Sequence, residues 1–266
     1  MKIYHEAPND VFEDVQNLTD GDYALCHLLE EGNIAYVNHF INARRVGREI
    51  MLDNSVYELG EAVSFAVLYR WSNILEPDWL FLPDVMHNAV ETIANAHKYI
   101  MTYDIPKRTK LVGVIQGNDY QEVVECYKAL AGICDMLAFN FQLGKWFDHS
   151  FQGRVKTLLQ LEEDNIIRKD KLHHLLGLKV PKELLYHMDR EYIYSIDTSQ
   201  PVMWGLSAGE YTNLDPLTCS FKMPGKLYNH VNRETSFLER AAILSNIKSF
   251  RAFVRGEEDT NVAATS

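Results

Sequence analysis

WLFLPD (79–84) and LVGVIQG (111–117) decide how this chain reads. Each is a short apolar run that stops on a polar side chain, Asp84 in the first and Gln116 in the second. The run EIML (49–52) does the same and ends on Asp53. Asp84 lies 31 residues after Asp53, and Gln116 lies 32 residues after Asp84. A strand, a loop and a helix of three to four turns occupy about that much chain.

Working outward, the same unit recurs. Tyr23–Leu29 is the first run. Met136–Phe139 leads to Asn140, His174–Leu176 to Gly177, and Tyr192–Ile196 to Asp197. Val202–Leu206 is read as a last strand. Between the runs, Asn88–Met101 and Asp119–Ile133 carry apolar residues at helical spacing. Ser150–Glu163 and Lys182–His187 are weaker helices, and a last helix spans about Glu234–Val254. Eight strands alternating with helices predict a compact α/β fold, a (β/α)8 TIM barrel over residues 1–256 without a zinc subdomain. An open doubly wound sheet is the competitor, but neither GxGxxG nor GxxxxGK[ST] follows the first strand. Residues 207–232 read as a long loop and 257–266 as a flexible tail.

Composition narrows the function classes. The chain has 266 residues, 47% of them hydrophobic and 24% charged, as in ordinary globular proteins. No apolar run approaches the roughly 20 residues of a membrane span, and Met1–Asp10 has no apolar signal core. Cys26, Cys126, Cys134 and Cys219 form no CxxC pair, so a reduced, cytoplasmic chain without a structural zinc is expected. A net charge of −11 argues against a broad non-specific nucleic-acid surface and leaves a local basic groove open.

In a parallel barrel, chemistry sits at the C-terminal strand ends. Those positions hold Asp53, Asp84, Gln116, Asn140 and Asp197. Singly, an Asp there caps a helix or closes a turn as readily as it reacts. Together, three carboxylates and two amides face one mouth. They suit a divalent cation or covalent glycosyl chemistry, with one Asp as nucleophile and another moving a proton. No histidine stands beside them at ligand spacing, so no metal or cofactor is expected. His173 and His174 are adjacent and point to opposite faces of a strand.

Five segments resemble the tRNA-guanine transglycosylases. IMLDNSVY (50–57) resembles their TDSGG(Y/F), and Pro83-Asp84 their strand-ending Asp. GVIQGN (113–118) is similar to GIVQGG, LLGLKVPKELL (175–185) to LMGVGTPEDLL, and SIDTSQP (195–201) to MFDCVLP. Order and rough spacing agree across residues 50–206. The resemblance implies Asp197 as the nucleophile on C1′ of a pentose and Asp53 as the proton-transfer group. It implies Tyr57 stacking on the base, base-edge recognition by Asp84, Gln116 and Asn140, and close backbone approach at Gly117. Three features depart from the family. Its CxCxxC…H zinc motif is absent, its Arg-rich stretch is here VMWGL (202–206), and its GGLAVGE loop is here NFQLGK (140–145). The implied partners are nucleic acid, DNA slightly ahead of tRNA, and a free base, with a homodimer left open. Arg44, Arg45 and Arg48, with Lys107–Lys110, are candidate phosphate contacts, against a solvated loop as the competing reading. Trp146-Phe147 is a candidate stacking pair. A hydrolytic DNA N-glycosylase that leaves an abasic site, and a non-catalytic nucleoside- or nucleic-acid-binding barrel, are the alternative readings.

Overall fold

The protein is seen here in a computed structural model that describes residues 1–178, 180–207 and 225–257. Eight parallel strands form a nearly closed (β/α)8 barrel. They are β1 (Lys2–Tyr4), β2 (Asp22–Leu25), β3 (Ile50–Asp53), β4 (Trp79–Phe81), β5 (Lys110–Ile115), β6 (Met136–Asn140), β7 (Leu172–Leu176) and β8 (Ile193–Asp197). The ladder runs β1-β8-β7-β6-β5-β4-β3-β2 and leaves one seam, between β1 and β2. The helices are α1 (Phe12–Gln16), α2 (Cys26–Glu30), α3 (Ile34–Arg45), α4 (Val56–Leu59), α5 (Phe65–Leu75), α6 (Ala89–Thr102), α7 (Tyr120–Ala131), α8 (Gln152–Glu163), α9 (Gln200–Gly205) and α10 (Phe237–Arg255).

Helix starts follow local chemistry. Side chains of Asn88 and Asp119 accept backbone N–H groups at the starts of α6 and α7. Ser236 and Glu239 form a reciprocal capping box on α10. No helix among the described residues is long and apolar enough to cross a membrane.

The eight strands are not the eight that the sequence suggested. Lys2–Tyr4 is a strand, and Val202–Leu206 belongs to helix α9 and the residue that ends it. A three-residue strand carries too few side chains to show a period. The second run is apolar because α9 is buried almost all round, so its residues carry no face signal. Pro201 stands in the first turn of this helix, where its missing N–H costs nothing. At Gly205 a Cβ would lie 2.4 Å from Ile243 of α10, so the two helices meet backbone to side chain there. Lys182–His187 is a 3-10 turn over Pro181–Tyr186. The first run is split, β2 ending at Leu25 and α2 beginning at Cys26. Most of the expected loop (208–224) and of the expected tail (258–266) lies outside the described residues.

The barrel floor is tied by one carboxylate. Glu49 accepts from Tyr4 Oη at 2.6 Å, Trp79 Nε1 at 2.8 Å and Tyr194 Oη at 2.9 Å, and it pairs with Lys2. Those partners stand on β1, β4 and β8, so Glu49 holds the seam side of the barrel to the rest. Asp20 adds a second tie across the seam, exchanging hydrogen bonds with Ile3. Glu49→Ala strands several polar groups, each expensive to leave unmade. Its urea midpoint is expected to fall by an amount equivalent to about 3 kcal/mol, and that of Glu49→Gln by less, since an amide keeps one acceptor.

Candidate functional site

A cavity of about 110 Å³ opens at the C-terminal strand ends. That is well above the roughly 10–15 Å³ needed to admit a single water. Asp53, Tyr57, Asp84, Gln116, Asn140 and Asp197 all line it. Gly117 does not. A Cβ there would lie 2.9 Å from Val123 N and 3.0 Å from Glu122 Cβ, so that glycine lets α7 pack against β5.

The two outer carboxylates are held differently. Asp53 accepts from Tyr23 Oη at 2.7 Å on Oδ2 and from Ser55 N at 2.6 Å on Oδ1. Burial first, then the nearby charge of Glu58, pushes its carboxyl well above the usual carboxylate range. Ser55 sits at φ +66°, in the left-handed region, immediately beyond this strand end. Backbone strain of that kind is often stored at functional sites.

Asp197 takes two hydrogen bonds on Oδ1, from His174 Nε2 at 3.0 Å and Gly177 N at 2.7 Å. The other nitrogen of His174 meets Ser195 Oγ at 2.8 Å. The chain Ser195–His174–Asp197 is therefore continuous. Beneath the mouth, the rings of Tyr23, Phe81 and His174 meet inside the barrel, with centroids 5.6–6.5 Å apart. Tyr23 reaches Asp53 and His174 reaches Asp197, so this aromatic layer carries both carboxylates.

His174 is the residue that sequence reasoning passed over. The parity rule was sound, because one of two adjacent strand residues must face inward. The register slips between His173 and His174, and His174 pairs with Ser195, two residues before Asp197. That even spacing was the available signal. His173 lies outside the barrel, bonded to Tyr127 Oη at 2.8 Å and stacked on Phe139.

The third carboxylate belongs to an amide wall. Asn54 Nδ2 donates to Asp84 Oδ1 at 2.8 Å, and Gln116 Nε2 donates to Asp84 Oδ2 at 2.6 Å. Gln116 Oε1 accepts from His87 N at 2.9 Å and faces Asn140 Nδ2 at 3.4 Å. Both ends of Gln116 are engaged, so it orients Asp84. Burial raises the Asp84 carboxyl to about 6, against the opposing pull of those amide donors.

The folded state therefore holds a proton on Asp84 that the unfolded chain releases near pH 4. Stability from this group is full below that range and is lost as pH rises through about 6. Asp84→Asn removes that ionisation, so the loss of stability between pH 4 and pH 7.5 is expected to be smaller in the variant than in wild type, while its amide nitrogen, which cannot accept from Asn54 or Gln116, lowers stability at both pH values. Chemical denaturation at the two pH values reads this directly.

Tyr57 is 36% exposed at the rim. The Lys226 ammonium lies 4.7 Å from its ring centroid, and the Phe141 ring meets it edge-on at 5.1 Å and 82°. Lys226 also donates to the carbonyls of Tyr57 and Glu58, at the end of α4. Lys226 thus covers one face of the Tyr57 ring.

Arg44, Arg45 and Arg48 precede β3, at the opposite end of the barrel from the cavity. Arg48 pairs with Asp22 at 2.6 Å, and Arg44 faces Glu76 at 3.9 Å. Arg108, before β5, pairs with Asp78 on the same floor. Short αβ loops put these cations there, so they cannot reach a ligand in the mouth. Trp146 and Phe147 do not line the cavity either. Among the lining residues described, Lys226 is the sole lysine or arginine, against Glu6, Asp53, Glu58, Asp84 and Asp197. No group of three or more metal-binding side chains is placed to hold an ion among the described residues.

The fold and the cavity define an eight-stranded parallel barrel with a carboxylate-rich mouth. No family model matches the chain, and no curated protein matches it.

Proposed function

We propose that this barrel cleaves an N-glycosidic bond in a nucleic acid through a covalent Asp197–pentose ester. A barrel alone carries no reaction with it. What supports the reading is one observation: Asp53 and Asp197, held by different partners, open on the same buried cavity.

Oδ1 of Asp197 is engaged by His174 and Gly177, which fixes the carboxylate plane. Attack on C1′ forms the C–O bond as the C1′–N bond breaks, and the base leaves with the electron pair. Asp53, whose burial favours the protonated carboxyl, donates its proton to the departing base. An incoming base or water, giving up a proton to Asp53, then attacks C1′ as the C1′–O bond of the ester breaks, which restores the Asp197 carboxylate and the Asp53 acid. The first outcome is base exchange and the second is hydrolysis. Asp84, backed by Asn54 and Gln116, presents a polar edge to a planar heterocycle. The acidic side chains of the lining disfavour phosphate, so the sugar–phosphate backbone stays at the rim and a flipped base with its sugar enters. Extrusion of a base costs a few kcal/mol.

The test is a denaturing gel of the protein mixed with single- and double-stranded DNA and with tRNA, chased with free purine bases. A slower-migrating adduct that requires Asp197 supports the reading. Alkali-labile abasic sites without added base identify hydrolysis, and incorporation of labelled base identifies exchange. Binding without any adduct or product would leave a non-catalytic barrel.

A further inference from the structure

Arg154 is the largest fully buried side chain among the described residues. It stands on α8 and donates through Nε to Glu183 Oε1 at 2.7 Å. Nη1 donates to Phe139 O at 2.7 Å and to Leu176 O at 3.1 Å, and Nη2 to Gly177 O at 2.8 Å. These carbonyls are at the C-terminal ends of β6 and β7. One of them matters more than the others. Leu176 O and Gly177 N belong to the same peptide group. Its carbonyl accepts from the Arg154 guanidinium, and its N–H donates to Asp197 Oδ1 at 2.7 Å. A cation on the carbonyl side polarises the peptide and strengthens the N–H as a donor.

We propose that Arg154 is a positioning residue for Asp197, acting through the Leu176–Gly177 peptide. This rests on the reading of Asp197 as the reacting carboxylate. Gly177 fits the relay: its φ of +65° is a left-handed conformation, and a Cβ there would sit 3.0 Å from the Phe141 ring. The peptide plane is thus set by a glycine, locked from behind by the guanidinium, and aimed at Oδ1. Glu183 offsets the buried charge, so the arginine remains paired without touching the cavity. A buried guanidinium needs acceptors for its five N–H donors whatever its role. The fork spent on the very peptide that bonds Asp197 is what singles out positioning.

The experiment compares wild type, Arg154→Lys and the double variant Arg154→Met/Glu183→Gln, which removes both buried charges together. Fold is checked by circular dichroism and thermal melting. The amide resonance of Gly177 is followed by ¹H–¹⁵N spectroscopy, with Asp197→Asn as the reference for a weakened acceptor. We expect the Gly177 amide proton to lie downfield in wild type and to move upfield in Asp197→Asn and in the double variant. Arg154→Lys, which keeps the charge but not the fork, should lie between. On the oligonucleotide that forms the adduct, kcat of the double variant should fall about 100-fold, with KM little changed, as for a misplaced reacting group rather than a missing binding group. Unchanged kcat together with a wild-type Gly177 resonance in either folded Arg154 variant overturns the proposal. If Asp197→Asn and the Arg154 variants shift the resonance but wild type attacks no nucleic acid, the relay stands and the glycosyl reading falls.

Discussion

Replacement of Asp197 by Asn is expected to lower the rate of glycosidic cleavage by about 10⁴–10⁶-fold and to abolish the covalent adduct. The size follows from the role. An amide nitrogen or oxygen is a poor nucleophile toward C1′. The fold should survive. Asn keeps an Oδ1 for the Gly177 N–H, and its volume matches that of Asp. His174 and Ser195 remain bonded to each other below it. Affinity for the nucleic acid should change little, because the nucleophile's bond to C1′ forms in the transition state and not in the bound ground state. A gel for the adduct, a filter assay for binding and a melt for stability separate the three effects. Full activity in this variant would remove Asp197 from the chemistry.

The second large effect is expected at Asp53. Asp53→Asn should reduce kcat roughly 10²–10⁴-fold, the usual range for loss of a general acid. It should also reshape the pH profile. In the wild type the productive form carries the proton, so the rate falls as pH rises through the elevated Asp53 value. An Asn has no proton to give, and that limb disappears. Stability should move in the opposite direction to activity. Burial raises the carboxyl, so its ionisation opposes folding at neutral pH, and the variant is expected to unfold at a higher temperature near pH 7.5. A variant that is more stable and less active is a signature of a strained site rather than of a core residue. A parallel loss of stability and rate would assign Asp53 to structure.

Much of this site was legible in the sequence because parallel strands make position and direction predictable together. A polar residue that ends an apolar run must point either into the mouth or into the helix layer. Asp53, Asp84, Gln116, Asn140 and Asp197 all took the first course. The repeat of about 31 residues supplied the barrel without help from any single strand. What was hidden was hidden for local reasons. Lys2–Tyr4 is too short for periodicity. Gln200–Gly205 is buried almost all round and so looks the same as a central strand. His174 required a register that only a pairing partner, Ser195, defines. The arginines near residue 45 were visible as a cluster, but sequence alone does not say which end of the barrel a loop occupies until the strand after it is placed. Asn54 was overlooked because it follows the more conspicuous Asp53, although its amide is what steadies Asp84.

The seam has a consequence for how the molecule assembles. β1 forms its ladder with β8 alone, Lys2 opposite Ser195 and Tyr4 opposite Asp197. The N-terminal strand therefore has no sheet neighbour until residues 193–197 have emerged, roughly 10–40 s into synthesis at typical elongation rates. Closing so long a loop is slow. The strand that bears Asp197 gains its second neighbour only in that step, so the mouth around Asp197 should be completed last during refolding, after most of the helical signal has already returned.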